Sequence, residues 1–194
     1  MSAVPAEAQS ECLTLPDLLA TCAEALTAAE SFGEAARRAV ETLIAPGGKV
    51  DAQLLEREQF AAHGYAWLAT YVAALREMLH WAERLEAAGQ FGELEQMMLQ
   101  AAYGEYLSQL GGGIALSQVE VLRPADLGLN ENDIAALQSP AGRQLMAANG
   151  SALRMAIAGH LTEGRFGEAG LADEMLEMIR DQFHKVAEDH KEDA

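Results

Sequence analysis

Apolar residues recur in steps of three and four along most of the chain, the spacing that lines one face of an α-helix. Over residues 15–45 the set is Leu15, Leu18, Leu19, Cys22, Leu26, Ala29, Phe32, Ala36, Val40 and Leu43. Thr14, followed three residues later by Asp17, with Pro16 in the first turn, predicts where this helix starts. Pro46-Gly47-Gly48 predicts its end. A second helix, capped by Asp51, runs to about Ala88 with the stripe Ala61, Tyr65, Leu68, Val72, Leu75, Leu79 and Ala82. Alternating steps of four and three are those of a helix packed in a bundle. Trp67, Tyr71, Met78 and Leu85 widen its apolar face. A third helix, about 92–110, carries Leu94, Met97, Met98, Ala101, Tyr103, Leu107 and Leu110, and stops at Gly111-Gly112-Gly113.

The pattern then weakens. Residues 114–129, with Arg123-Pro124, read as irregular. Short helices follow: one near 131–138 capped by Asn130 and Asp133, one from Ser139-Pro140 to Asn149-Gly150, and one near 152–162. Gly164, Gly167 and Gly170 mark a linker. A terminal helix starts near Leu171 and carries Met175, Met178, Ile179, Phe183 and Val186, then gives way to the charged run after Glu188. That ending reads either as a solvated tail or as a helix leading into more protein. No segment alternates β-branched residues as a strand does. The fold expected is therefore all-α: a long-helix bundle with short helices and a loosely attached C-terminal helix. Its parts are a flexible N-terminus (1–13), a helical domain (14–163), a glycine-rich linker (164–170) and the terminal helix (171–194).

Charge narrows the functions. The 194 residues include 30 Asp+Glu against 13 Lys+Arg, a net charge of −17. Nucleic-acid and anionic-membrane partners both require clustered basic residues, so neither is expected. No apolar run approaches about 20 residues, the length needed to span a bilayer. The first residues, Met1-Ser-Ala-Val-Pro-Ala-Glu, lack the basic start and apolar centre of a secretory signal, so a cytoplasmic protein is expected. Half of the residues are hydrophobic, enough to fill a core and to exclude wholesale disorder.

Candidate chemistry is sparse. Neither a nucleophile elbow nor a phosphate-binding glycine loop is present, and no catalytic residue is assigned. Cys12 and Cys22 have no third ligand beside them. Glu77-Met-Leu-His80 has the spacing used in di-iron bundles, which need a second copy. The nearest is Asp181-Gln-Phe-His184, so Glu77 and His80 read as surface residues and no metal is expected. Met97 and Met98 read as core packing, and His63 as a satisfied bundle histidine. The turn Gln109-Leu-Gly-Gly112-Gly113 is more suggestive. It reads either as a plain helix end or as a place where another group meets the backbone closely, although a helix C-terminus is the wrong dipole end for an anion.

Several longer strings carry a resemblance. They are His63-Gly-Tyr-Ala-Trp-Leu-Ala-Thr-Tyr, Trp81-Ala-Glu-Arg-Leu, Phe91-Gly-Glu-Leu-Glu-Gln, Gly104-Glu-Tyr-Leu-Ser-Gln, Gly112-Gly-Ile and Val121-Leu-Arg-Pro-Ala-Asp-Leu-Gly. Together they resemble the N-terminal extension of bacterial methylsuccinyl-CoA dehydrogenases, flavin enzymes of the acyl-CoA dehydrogenase superfamily associated with the ethylmalonyl-CoA pathway. The resemblance covers about 15–129, and resumes at Asp173-Glu-Met-Leu-Glu-Met-Ile-Arg-Asp-Gln-Phe, which is similar to the first helix of the acyl-CoA dehydrogenase fold. One departure is Val119, in Ser117-Gln-Val-Glu120, where the family usually has glycine. Another is the catalytic body, which has no counterpart in these residues.

The resemblance implies a helical accessory or assembly domain, catalytically incomplete by itself, of an enzyme that oxidises methylsuccinyl-CoA to mesaconyl-CoA with FAD. FAD is implied for the full-length relatives and not for this chain alone. The helices ending in Gln109, Gly112 and Gly113, followed by Glu120 and Arg123, also resemble the C-terminal bundle of acyl-CoA dehydrogenases. There such a turn contacts the flavin dinucleotide across a subunit boundary, which makes Gln109, Gly112 and Gly113 the candidate cofactor-binding residues. The partners implied are a second copy of the chain or a dehydrogenase catalytic domain. The rival reading is a stand-alone helical interaction protein that dimerises or binds a dehydrogenase.

Overall fold

The computed structural model describes residues 13–167, 170, 173–189 and 191. Two long helices, α1 (Leu18–Ile44) and α3 (Gln59–Ala87), lie side by side, and α4 (Glu93–Gly112) packs against α3. Ahead of α3 stands one short helix, α2 (Ala52–Arg57), capped by the Asp51 carboxylate, which accepts from the amides of Gln53 and Leu54. The second helix expected from the sequence is thus two: the backbone of Glu58 leaves helical geometry (φ −101°, ψ 27°) between α2 and α3. Three short helices follow, α5 (Glu131–Leu137), α6 (Pro140–Ala148) and α7 (Ser151–Thr162). α5 and α6 pack back on α1, while α6 and α7 pack on α4. Asn130 and Ser139 cap α5 and α6 through their side chains, as the sequence leads one to expect.

The core follows the apolar stripes. Cys22, Ala25, Ala29, Phe32, Ala36 and Val40 of α1 are buried against Leu68, Val72, Leu75, Leu79 and Ala82 of α3 and Leu99, Tyr103 and Leu107 of α4. Small residues on α1 let the helix axes approach. Helix α4 has buried residues around most of its circumference, including Leu94, Met97, Leu99, Tyr103 and Leu110, so it is the enclosed helix of the bundle. Met98, grouped with Met97 in the sequence reading, is 39 % exposed instead. Helices α4 and α6 touch at Gly104, where a Cβ would stand 2.5 Å from Asn149 Cβ.

Two further expectations change. The start of α1 is not capped by Thr14. Its N-cap is Asp17, held in the left-handed region at φ 53° with no side-chain cap. Residues 13–15 are instead tied to α4 by Gln100, whose fully buried side chain accepts from the Leu15 amide at 2.7 Å and donates to the Leu13 carbonyl at 2.9 Å. The rest of the expected flexible N-terminus, 1–12 with Cys12, lies outside the described residues. The irregular segment after α4 contains a small antiparallel hairpin, β1 (Ile114–Ala115) and β2 (Val121–Leu122), pairing Ile114 with Leu122 and Ala115 with Val121. Leu122 seats this hairpin on α3 at Gly64. The class remains all-α, since a two-residue ladder is its β content among the described residues.

Within the segment expected as a linker, Gly167 and Gly170 lie close to the bundle. A Cβ at Gly167 would come within 2.9 Å of the Glu95 carboxylate, and one at Gly170 within 2.9 Å of Leu85. Both glycines have positive φ, 77° and 63°, which other residues rarely adopt. Residues 168, 169, 171 and 172, including Leu171 at the expected start of the terminal helix, lie outside the described residues. Helix α8 (Glu174–Asp189) follows and has no buried residue. No helix among the described residues is long and apolar enough to cross a membrane.

Candidate functional site

Along one edge of α4, Glu105 and Gln109 stand one turn apart and face outward from the core. The Gln109 carboxamide accepts from the Tyr71 hydroxyl of α3 at 2.8 Å and donates to Glu105 Oε1 at 2.8 Å. The other oxygen of Glu105 accepts from Asn149 Nδ2 at 3.2 Å and from the Arg154 guanidinium at 3.0 Å. Arg154 also donates to Asn149 Oδ1 at 3.2 Å. The Tyr71 ring stacks on Tyr106, with centroids 4.6 Å apart and planes inclined by 27°. Burial, then the neighbouring Tyr106 and Glu105, raises the Tyr71 hydroxyl above its usual pKa. This seam joins α3, α4, the end of α6 and α7 through the paired side chains of Tyr71, Gln109, Glu105, Asn149 and Arg154.

The candidate turn grows out of the same edge. Gly113 ends α4 with φ 136°, and its amide donates to the Gln109 carbonyl at 2.8 Å. A Cβ there would lie 2.8 Å from Val121 Cγ1, so glycine is what lets the chain reverse tightly enough to pair β1 with β2. Gly112 is exposed, and a Cβ on it would meet open space. Gln109, Gly112 and Gly113 are therefore brought together, but their polar groups serve the fold. The Gln109 side chain has two partners, the Gly113 amide has one, and the negative end of the α4 dipole points at the turn.

The remaining candidates fall on the surface. Ser117–Glu120 form the hairpin tip, where Ser117 Oγ accepts from the Glu120 amide at 3.2 Å. Val119 is 91 % exposed and its φ is not positive, so nothing at this position requires glycine. Arg123 is exposed and its amide donates to Asp126 at 2.7 Å. Glu77 and His80 form an exposed pair 3.6 Å apart, on the outside of α3 as expected. His63 is satisfied by a hydrogen bond from Trp67 Nε1 at 3.1 Å, but on an exposed face and not inside the bundle. Among the described residues no three His, Cys, Asp or Glu side chains form a metal-ligating group. A groove of about 810 Å³ beside the start of α1, lined by Thr14, Pro16, Asp17, Glu86, Phe91 and Gln96, holds two carboxylates and no base to oppose them.

The largest unexplained feature is α8. Met175, Met178, Ile179, Phe183 and Val186 form the stripe seen in the sequence, and all are exposed, Phe183 by 73 %. Contiguous exposed apolar residues of this kind are uncommon on the surface of a folded domain.

No family model matches the sequence. Over 179 residues the chain is 45 % identical to a (2S)-methylsuccinyl-CoA dehydrogenase of Cereibacter sphaeroides, a stretch amounting to 90 % of this chain and 32 % of that protein. The chain is related to part of that dehydrogenase. It spans about a third of the dehydrogenase's length, so the relationship reaches the bundle described above and leaves two thirds of the dehydrogenase unmatched.

Proposed function

We infer that this chain is a helical accessory or assembly domain working with a flavin-dependent acyl-CoA dehydrogenase, and that it does not carry out oxidation by itself. The observation that carries this reading is the extent of the match: nearly all of this chain against a third of a (2S)-methylsuccinyl-CoA dehydrogenase. The matched region is a helix bundle in which the polar seam from Tyr71 through Gln109 to Glu105 is internally paired and holds helices together. A domain of this kind supplies shape and contact surface. The chemistry of converting methylsuccinyl-CoA to mesaconyl-CoA, with FAD as the electron acceptor, belongs in this reading to the two thirds that the chain does not span. A cytoplasmic setting suits such an enzyme.

The chain also supports the second reading, an interaction protein that self-associates, through the exposed stripe of α8. The two are compatible, because an assembly domain can pair with its own copy.

The test is direct. The purified chain is expected to show no flavin absorbance after FAD is added and excess removed, and no dye reduction with methylsuccinyl-CoA. A yellow protein that reduces dye with that substrate overturns the accessory reading.

A further inference from the structure

We propose that Glu95 is a clasp that docks the chain following α7 onto the bundle and so fixes where α8 begins. Glu95 lies in the first turn of α4 and is 5 % exposed. Carboxylates are buried this deeply only where groups of the protein hold them. Its two oxygens each face a glycine. A Cβ on Gly92, the residue leading into α4, would stand 2.8 Å from Oε2, and one on Gly167, past α7, would stand 2.9 Å from Oε1. The carboxylate thus sits between two stretches of backbone remote in sequence. Gly167 also has φ 77°, so glycine serves there both the turn and the close approach.

Contacts on either side of Gly167 hold the same course. Upstream, His160 of α7 is buried with Nε2 3.6 Å from Glu93 Oε2, and its carbonyl accepts from the Arg165 amide at 3.0 Å. Downstream, Gly170 stands against α3: a Cβ there would lie 2.9 Å from Leu85 Cδ2 and 3.2 Å from Trp81 Cδ1. The consequence is reach. A free chain from Thr162, which ends α7, to Glu174, which starts α8, could span about 40 Å, whereas from Gly170 the span is at most about 14 Å. Docking therefore keeps the start of α8 beside Trp81 and Leu85 instead of letting it range over the bundle. The inference depends neither on what covers α8 nor on the relationship to a dehydrogenase.

Spin-label distances in the full chain test it, with labels at Glu77→Cys on α3 and Glu174→Cys on α8 in a Cys12→Ser background. A single distance distribution is expected. Glu95→Ala and Gly167→Ala are each expected to broaden it about twofold or more, and to speed trypsin cleavage after Arg165 by roughly tenfold. The double variant is expected to add little to either single, because a released segment has neither the contact nor the positive φ to keep. Glu95 belongs to the bundle, so Gly170→Ala, a change outside its helices, is the second probe. It is expected to broaden the distribution while thermal unfolding of the bundle stays unchanged. A distribution already broad in the unsubstituted chain, single variants without effect, or effects that multiply in the double variant would each overturn the clasp. None of these readouts involves flavin or dye reduction, so failure here is distinguishable from failure of the accessory reading.

Discussion

Gly104 of α4 lies directly against the backbone of α6: a Cβ in its place would stand 2.7 Å from the carbonyl oxygen of Leu145. The obstacle is backbone, which cannot rotate away. Gly104→Ala improves helix propensity by about 1 kcal/mol, yet the overpacking it forces costs about 1–3 kcal/mol. A net loss of stability is expected in urea unfolding, with α6 and α7 the first elements to lose amide protection. A neutral or stabilised variant would show that the two helices can separate without cost.

The core stripe predicts a sharper loss. Leu75 is fully buried between α1 and α4, and its carbonyl accepts from the Tyr103 hydroxyl at 2.8 Å. Leu75→Asp places an unpaired charge there, which costs several kcal/mol, of the order of a small domain's whole stability. Loss of cooperative melting is expected. His80→Ala, on the exposed face of the same helix, should leave the melting curve within about 0.5 kcal/mol of the parent.

Alkaline pH should unfold the bundle in a defined window. Burial pushes the Cys22 thiol from its usual 9.0 up to about 12. Burial likewise raises the Tyr103 hydroxyl, with smaller effects of Cys22, Glu83 and Glu30. In the unfolded chain both groups lose their protons at lower pH than in the folded one, so the unfolded state binds fewer protons and stability falls as pH rises. The contribution of Cys22 is complete below pH 9 and is lost progressively between 9 and about 12. Urea titrations across that range are expected to show falling stability, with a shallower fall in Cys22→Ala. Equal slopes would mean the thiol is not desolvated.

The seam has its own test. Gln109→Leu removes the acceptor of the Tyr71 hydroxyl and one donor to Glu105. A loss of about 1–2 kcal/mol is expected from the broken pairs. Tyr71→Phe should lose less, because the Glu105 contact survives, and a double-mutant cycle should show the two changes coupled. Purely additive losses would mean the seam is not a connected unit.

Sequence periodicity made the long helices legible because their burial repeats every three to four residues. Cys22 through Val40 and Leu68 through Ala82 are buried where their spacing places them. The caps at Asp51, Asn130 and Ser139 were legible because those side chains act on amides two or three residues away. The break at Glu58 has no glycine or proline to announce it. The hairpin was hidden because two-residue strands are too short to alternate. The seam is not legible for another reason: Glu105 and Gln109 are neighbours on α4, but Tyr71 and Asn149 are 38 and 44 residues from them and meet them only through the fold. Gln109, Gly112 and Gly113 were legible as a turn, and their hydrogen bonds show why that turn is needed for the hairpin.

On the proposed function, this bundle works by joining a dehydrogenase. The most direct measurement is co-expression of this chain with the remaining two thirds of the Cereibacter sphaeroides relative as a separate polypeptide, followed by size-exclusion chromatography monitored for protein and flavin. The two chains are expected to elute together in a flavin-containing peak, and omitting this chain is expected to reduce the yield of flavin-loaded catalytic portion. Separate elution, with the catalytic portion equally loaded and equally active alone, would contradict it.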